Sequence, residues 1–181
     1  MMAMEPRSGH IKAWVGGVNY KYFQYDHVGQ GARQVGSTFK PFLYATAIEQ
    51  LGMSPCDSII DSYFTMPKGK WGIDADWSPK NSDGNYRGTI TLQKALANSV
   101  NTVSAKLIDR VGPKAVVDMA KELGVTSDIP EQPSIALGAV DITVEQMVGA
   151  MSTFANQGVY VKPTFIIKIE DKNGVVIDQP V

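Results

Sequence analysis

The sequence predicts an α+β domain in which strands and helices are segregated along the chain rather than alternating. Three observations predict it. An alternating apolar run stands near the start, at residues 10–15. Capped segments of helical period fill most of 89–158. A second alternating run with a tight turn closes the chain at about 165–177. A doubly wound parallel sheet would interleave strand and helix throughout. The expected arrangement is an antiparallel sheet built from the N-terminal strands, with a helical lobe over 89–158 beside it. A helix at 37–51 would lie between the two, with the cleft at the sheet–helix junction.

In the first strand Ile11, Ala13 and Val15 point one way and His10, Lys12 and Trp14 the other, a half-buried pattern. Glu5-Pro6-Arg7-Ser8-Gly9 before it is a turn, which makes Met2 to Met4 the partner strand of a hairpin. Gly16-Gly17 ends the strand, and a polar, aromatic loop runs to Gly36. Over 37–51 Phe39, Phe42, Leu43, Thr46, Ala47 and Leu51 fall on one helical face. Pro41 sits in the first turn and Gly52 supplies the stop.

Residues 53–88 hold no sustained period and read as a surface excursion, long enough to suggest function. Thr91 caps a short helix to about Ala97. A second helix starts near Ser99 and ends at Gly112, with Val100, Val103, Leu107, Ile108 and Val111 inward. Pro113 opens a third, which Gly124 closes. Thr143-Val144-Glu145-Gln146 is a capping box. It starts a helix whose stripe is Val144, Met147, Val148, Met151, Phe154 and Ala155, ended by Asn156-Gln157-Gly158. Phe165, Ile167 and Ile169 then alternate, and Asp171-Lys172-Asn173-Gly174 turns the chain back into Val175 to Ile177.

Composition narrows the function. Lys plus Arg is 17 and Asp plus Glu is 18 over 181 residues, a net charge of −1. That balance argues against a nucleic-acid partner, which calls for a basic surplus. The single cysteine, Cys56, allows no intrachain disulfide, and His10 and His27 have no ligand-spaced neighbours, so no metal site is expected. No apolar run reaches the ~18 residues of a membrane span, and no signal peptide opens the chain. A membrane anchor is therefore expected outside it. The tryptophans Trp14, Trp71 and Trp77 could line a groove, although packing is the commoner role.

Two short motifs carry chemistry. In Gly36-Ser37-Thr38-Phe39-Lys40 the hydroxyl and the amine are three apart at a helix start, so they share a face. Serine becomes a nucleophile when a base takes its proton, and lysine is that base only if its pKa falls. A helix N-terminus and burial both push it down. Ser-x-x-Lys alone recurs about once by chance in a chain this long. The second motif, Ser99-Val100-Asn101, offers a hydroxyl and an amide at another helix start, where serine is ordinarily just a cap.

In combination, the two motifs and their contexts resemble the transpeptidase domain of class A (bifunctional) penicillin-binding proteins, which cross-link bacterial peptidoglycan. The likeness covers nearly the whole chain: Gly9-His10-Ile11-Lys12-Ala13-Trp14-Val15-Gly16-Gly17, Arg33-Gln34-Val35-Gly36-Ser37-Thr38-Phe39-Lys40-Pro41-Phe42, Trp77-Ser78-Pro79-Lys80-Asn81, Ala95-Leu96-Ala97-Asn98-Ser99-Val100-Asn101 and Phe154-Ala155-Asn156-Gln157-Gly158. The resemblance implies a β-lactamase/transpeptidase-like fold over residues 1–181, as a partial domain. It implies Ser37 as the acylated nucleophile, Lys40 as its base, and Ser99 as a proton shuttle. Asn101 would bind the peptide stem, and the N–H of Ser37 would form half of an oxyanion hole. No cofactor is implied. The partners implied are the stem peptide and β-lactams. The setting implied is the extracytoplasmic, periplasmic face of the membrane, in a full-length protein with a membrane anchor and a glycosyltransferase domain.

One departure is clear. The family's third motif, Lys-Thr/Ser-Gly, occurs nowhere in these residues. The expectation is a fragment that lacks the C-terminal strands and half the oxyanion hole. Its peptide turnover alone would be lowered by about 10²–10³-fold or abolished. The alternatives are a β-lactamase-like hydrolase, for which no Glu-x-x-Leu-Asn segment is present, and a catalytically idle β-lactam-binding or sensor fragment.

Overall fold

The structure, a computed structural model, describes residues 1–179. In chain order its elements are β1 (Met2–Met4), β2 (Ile11–Trp14), β3 (Arg33–Gln34), α1 (Lys40–Leu51), β4 (Ser58–Asp61), β5 (Gly88–Thr91), α2 (Leu92–Ala97), α3 (Asn101–Val111), α4 (Pro113–Glu122), β6 (Asp141–Ile142), α5 (Val144–Ala155), β7 (Ile169–Glu170) and β8 (Val176–Asp178). Short 3₁₀ helices lie at Gly36–Phe39, Lys70–Gly72 and Pro133–Leu137. The mixture is α+β, as expected, but the described strands form two-stranded pairs rather than one sheet.

The chain divides into two compact units. One comprises Met1–Ala32, Leu123–Ser127 and Ile142–Val181; the other comprises Arg33–Glu122 and Asp128–Asp141. The expectation of one helical lobe over 89–158 is thereby corrected. Helix α5 belongs with the N-terminal hairpin, where it packs on β1. Helix α1 belongs to the other unit, where it packs on α3 and α4.

In the first unit β1 and β2 form the expected antiparallel hairpin, with Met2 opposite Trp14 and Ala3 opposite Ala13. Thr164 runs beside β2, its carbonyl accepting from Ile11 N at 2.8 Å. Trp14 donates its indole N–H to Asp26 Oδ2 at 3.0 Å, which gives this tryptophan an anchoring role. The Thr143 side chain caps α5 by accepting from Gln146 N, as the capping box predicts. The reciprocal half does not form. Gln146 Oε1 instead accepts from Thr126 N at 3.0 Å and Ser127 N at 2.9 Å, holding a neighbouring loop.

The stripe predicted for α5 is the wrong face. The buried residues are Gly149, Ala150, Ser152 and Thr153, while Val144 is 39% exposed and Phe154 43%. Small side chains let Pro163 approach to within 3.2 Å of where a Cβ on Gly149 would stand. Close approach, not side-chain bulk, selected that face. At the end, β7 and β8 pair across the predicted Asp171 turn, but Phe165 and Ile167 lie outside any strand.

The second unit has a continuous apolar core. Phe39, Phe42, Leu43 and Ala47 from α1 and its lead-in are fully buried, as are Val103, Leu107 and Ile108 of α3 and Val116 of α4. Burying each large side chain stabilises by roughly 1.5–3 kcal/mol. Gly52 ends α1 in the left-handed conformation, at φ 61°. Pro113 is the first residue of α4, as predicted. The 53–88 excursion is more ordered than its sequence suggests. Strand β4 pairs antiparallel with β5, Ser58 opposite Thr91 and Asp61 opposite Gly88. Trp77 exchanges two backbone bonds with Met66, and Trp71 packs over Gly112. Packing and pairing account for both tryptophans.

Candidate active site

All four candidate residues belong to the second unit. Ser37 does not stand at the first turn of an α-helix. It lies in the 3₁₀ turn Gly36–Phe39, and the α-helix starts at Lys40. The turn is held by Thr38 Oγ1 donating to Val35 O at 2.6 Å and by Lys40 N donating to Ser37 O. From the other side, Gly36 N donates to Gly138 O at 3.1 Å and Val35 N to Val140 O at 3.0 Å. Ser37 is exposed, while Phe39 two residues on is wholly buried, its ring tilted against that of Phe42 with centroids 5.0 Å apart. An accessible hydroxyl thus stands on an anchored turn.

Lys40 is 1% exposed. Its Nζ donates to Ser99 O at 2.7 Å, Ser99 Oγ at 2.9 Å and Asn101 Oδ1 at 2.8 Å. Burial pushes its pKa down from 10.5 to about 8. The structure therefore brings Lys40, Ser99 and Asn101 into one cluster across about sixty residues of chain. Among the described residues Lys40 makes no hydrogen bond to Ser37; its three ammonium protons are already taken.

Ser99 is not the helix cap that sequence suggests, because α3 starts at Asn101 with Val100 in the cap position. Ser99 instead sits at φ 52°, a left-handed conformation that is uncommon for a residue with a side chain. Such strain costs about 1–3 kcal/mol and gathers at functional sites. It turns both the carbonyl and the hydroxyl of Ser99 onto Lys40. The Asn101 amide is spoken for on both sides, with Nδ2 donating to Lys80 O at 2.9 Å.

Two residues behind this cluster, Asn81 and Asp61, escaped the sequence reading as site residues. Asn81 lies in the Trp77-Ser78-Pro79-Lys80-Asn81 run that carried part of the family likeness, so a signal was present. Asp61 had none, since its approach depends on the β4–β5 pairing.

An exposed serine one turn from a buried lysine of lowered pKa, with a second serine and an amide on that lysine, supplies the kinds of group that serine acyl transfer uses. The comparisons agree with that class. The family model "Penicillin binding protein transpeptidase domain" matches residues 1–181, and the chain belongs to this family. It is 39% identical over 184 residues to "Penicillin-binding protein 1A" of Aquifex aeolicus, covering 100% of this chain and 24% of that protein. It is 37% identical over 175 residues to the protein of the same name from Neisseria flavescens, covering 96% of this chain and 22% of that one. Penicillin-binding protein 1A from Haemophilus influenzae superposes with a TM-score of 0.89 at 29% identity, over 99% of this chain and 26% of the other. The PonA1 protein from Mycobacterium tuberculosis in complex with penicillin V superposes with a TM-score of 0.84 at 29% identity, over 98% of this chain and 48% of the other. The chain thus spans about a quarter of the length of the curated relatives it matches.

Proposed function

We propose that this chain is the part of a serine D-Ala-D-Ala transpeptidase that carries the nucleophile, and that its full-length protein cross-links peptidoglycan stem peptides and is acylated by β-lactams. The observation that carries the reading is the wholly buried Lys40, lowered to about 8 and bonded to Ser99 and Asn101. Ser37 is the nucleophile, Lys40 the base, Ser99 the proton relay, and Asn101 the residue beside the bound stem.

The ammonium form of Lys40 has no lone pair, and its three N–H groups donate to three acceptors on Ser99 and Asn101. At a pKa of about 8, roughly a tenth of molecules carry the neutral amine at pH 7. That amine donates two hydrogens and turns its lone pair to the Ser37 hydroxyl. The Ser37 proton passes to Nζ as Oγ bonds to the carbonyl carbon of the penultimate D-Ala. The peptide C–N bond then breaks, and the terminal D-Ala leaves as an amine protonated through Ser99 Oγ. An acceptor amine attacks the ester, its proton returns along the same path, and Ser37 is regenerated. A β-lactam opens on Ser37 by the same first step. The backbone N–H of Ser37 supplies half of the oxyanion hole, while that of Gly36 is held by Gly138 O.

The family membership and the penicillin-binding names of the relatives reported above favour this over a hydrolase or an idle sensor. The coverage of about a quarter fits a longer protein, with a glycosyltransferase domain and a membrane anchor, acting at the extracytoplasmic face. Among the described residues no helix is long and apolar enough to cross a membrane. The test is intact mass of the full-length protein after incubation with benzylpenicillin. One penicilloyl adduct, mapped to Ser37 and absent in Ser37→Ala, is expected. A folded protein that stays unmodified would overturn the proposal.

A further inference from the structure

Behind Asn101 stands a second polar layer that the acyl-transfer steps do not use. Asn81 is 6% exposed, and its side chain makes four hydrogen bonds. Its Oδ1 accepts from Asn101 N at 2.9 Å and Thr102 N at 3.2 Å, two groups at the head of α3 with no partner inside the helix. Its Nδ2 donates to Asp61 Oδ1 and to Asn85 O, both at 2.8 Å. Asp61, on β4, is 1% exposed and accepts in addition from Thr102 Oγ1 at 2.5 Å, Arg87 N at 2.9 Å and the Arg87 guanidinium at 3.3 Å. Burial raises the cost of its charge, but the bonds from Thr102, Asn81 and Arg87 outweigh this and hold its pKa below the ordinary carboxylate value.

We infer that Asn81, held by Asp61, is a positioning residue for the acyl-transfer site: with the neighbouring Lys80 carbonyl it fixes Asn101, and so aims Asn101 Oδ1 at Lys40. The inference rests on the function proposed above. A helix is ordinarily capped by the residue just before it. Here Val100 has no polar side chain, and the cap comes from a residue twenty positions upstream. The same short run grips Asn101 twice, the backbone through Asn81 Oδ1 and the side chain through Lys80 O. Because Lys80 O takes the amide nitrogen, only the amide oxygen is left to face Lys40. The charged groups behind the layer are Asp61, Arg87, Asp83 on Arg87, Lys80, and Lys106 on Ile60 O and Ser62 Oγ. The bonds of Lys40 go to none of them, only to Ser99 and Asn101.

An acceptor on an ammonium favours its charged form. Loosening Asn101 therefore lets Lys40 titrate at lower pH, besides slowing acylation. The test is the acylation rate of the full-length protein by a fluorescent penicillin from pH 6 to 10, with folding checked by thermal melts. Asn81→Ala should acylate roughly 10- to 100-fold more slowly, with the rising limb of its pH profile moved to lower pH. Asn81→Asp faces one carboxylate with another and should also be slow. Adding Asp61→Asn to it restores that N–H···O bond in the reverse direction, although a carboxylate oxygen is left against Asn85 O, and should bring rate and limb part of the way back towards wild type. If Asn81→Ala does not fold, the comparison of Asn81→Asp with the double variant decides. A folded single variant with the wild-type rate and limb overturns the inference, and so does a slow one whose limb is unmoved and which the double variant does not rescue. A wild-type protein that penicillin does not label overturns the proposed function, and the inference with it.

Discussion

The carbonyl oxygen of Gly36 occupies the space that a side chain on Gly138 would need. A Cβ at Gly138 would stand 1.8 Å from that oxygen, and Gly138 itself is at φ 76°. The two glycines interlock, with Gly36 N donating to Gly138 O. The turn that presents Ser37 is thus seated on a residue a hundred positions away.

The first expected outcome follows from that contact. Gly138→Ala must displace backbone and strain a left-handed residue, so it should destabilise by about 1–3 kcal/mol. It should also slow penicillin acylation by roughly 100-fold, since Ser37 is the proposed nucleophile and a shift of about 1 Å at a reacting group has that effect. Urea denaturation and the acylation rate together check this. A variant at wild-type rate would show that the seat is not needed.

Lys40 makes stability depend on pH in a defined direction. Its folded pKa of about 8 lies below the unfolded 10.5, so the unfolded chain binds more protons between these values, and stability rises with pH there. The wild-type protein should gain about 3 kcal/mol at most relative to Lys40→Ala between pH 7.5 and 10.5. Paired urea titrations at the two pH values measure the difference. A difference that stays flat, or falls as pH rises, would contradict the burial argument.

Ser99 combines a strained backbone with two bonds to Lys40. Ser99→Gly removes the strain at φ 52° and should leave the protein unchanged or about 1 kcal/mol more stable, after the entropy cost of glycine. It also removes the Oγ that accepts from Lys40, the proposed proton relay, so acylation should fall roughly 10²-fold. Melting temperature and acylation rate should move independently. A loss of both would mean that Ser99 is mainly structural.

Gln146 is the contrasting case. Its Oε1 accepts from Thr126 N and Ser127 N, bonds that belong to the first unit. Gln146→Ala should cost about 1 kcal/mol in stability and leave acylation within about twofold of wild type. Denaturation midpoints and penicillin labelling on the same preparation check it.

Much of the local structure was legible because its causes are local. Thr91 and Thr143 cap, Pro113 starts and Gly52 stops their helices through hydrogen bonds and backbone angles set within a few residues. Ser37, Lys40, Ser99 and Asn101 could be proposed from short motifs alone, and the structure brings the last three of them together. The β4–β5 pairing was not. Its strands are about thirty residues apart, and β4 buries Asp61 as well as Ile59, so alternating hydrophobicity does not mark it. The buried face of α5 was misread because periodicity measures bulk, whereas Gly149 and Ala150 are inside by virtue of being small.

Short motifs were enough to nominate the residues with acyl-transfer chemistry and the local turns around them. That Lys40 is dry, that Ser99 is twisted onto it, and that Asn81 and Asp61 stand behind Asn101 came from the packing of distant segments. Capping and turn preferences act over one helical turn. Desolvation and the partners of a buried amide depend on what the rest of the chain packs around them.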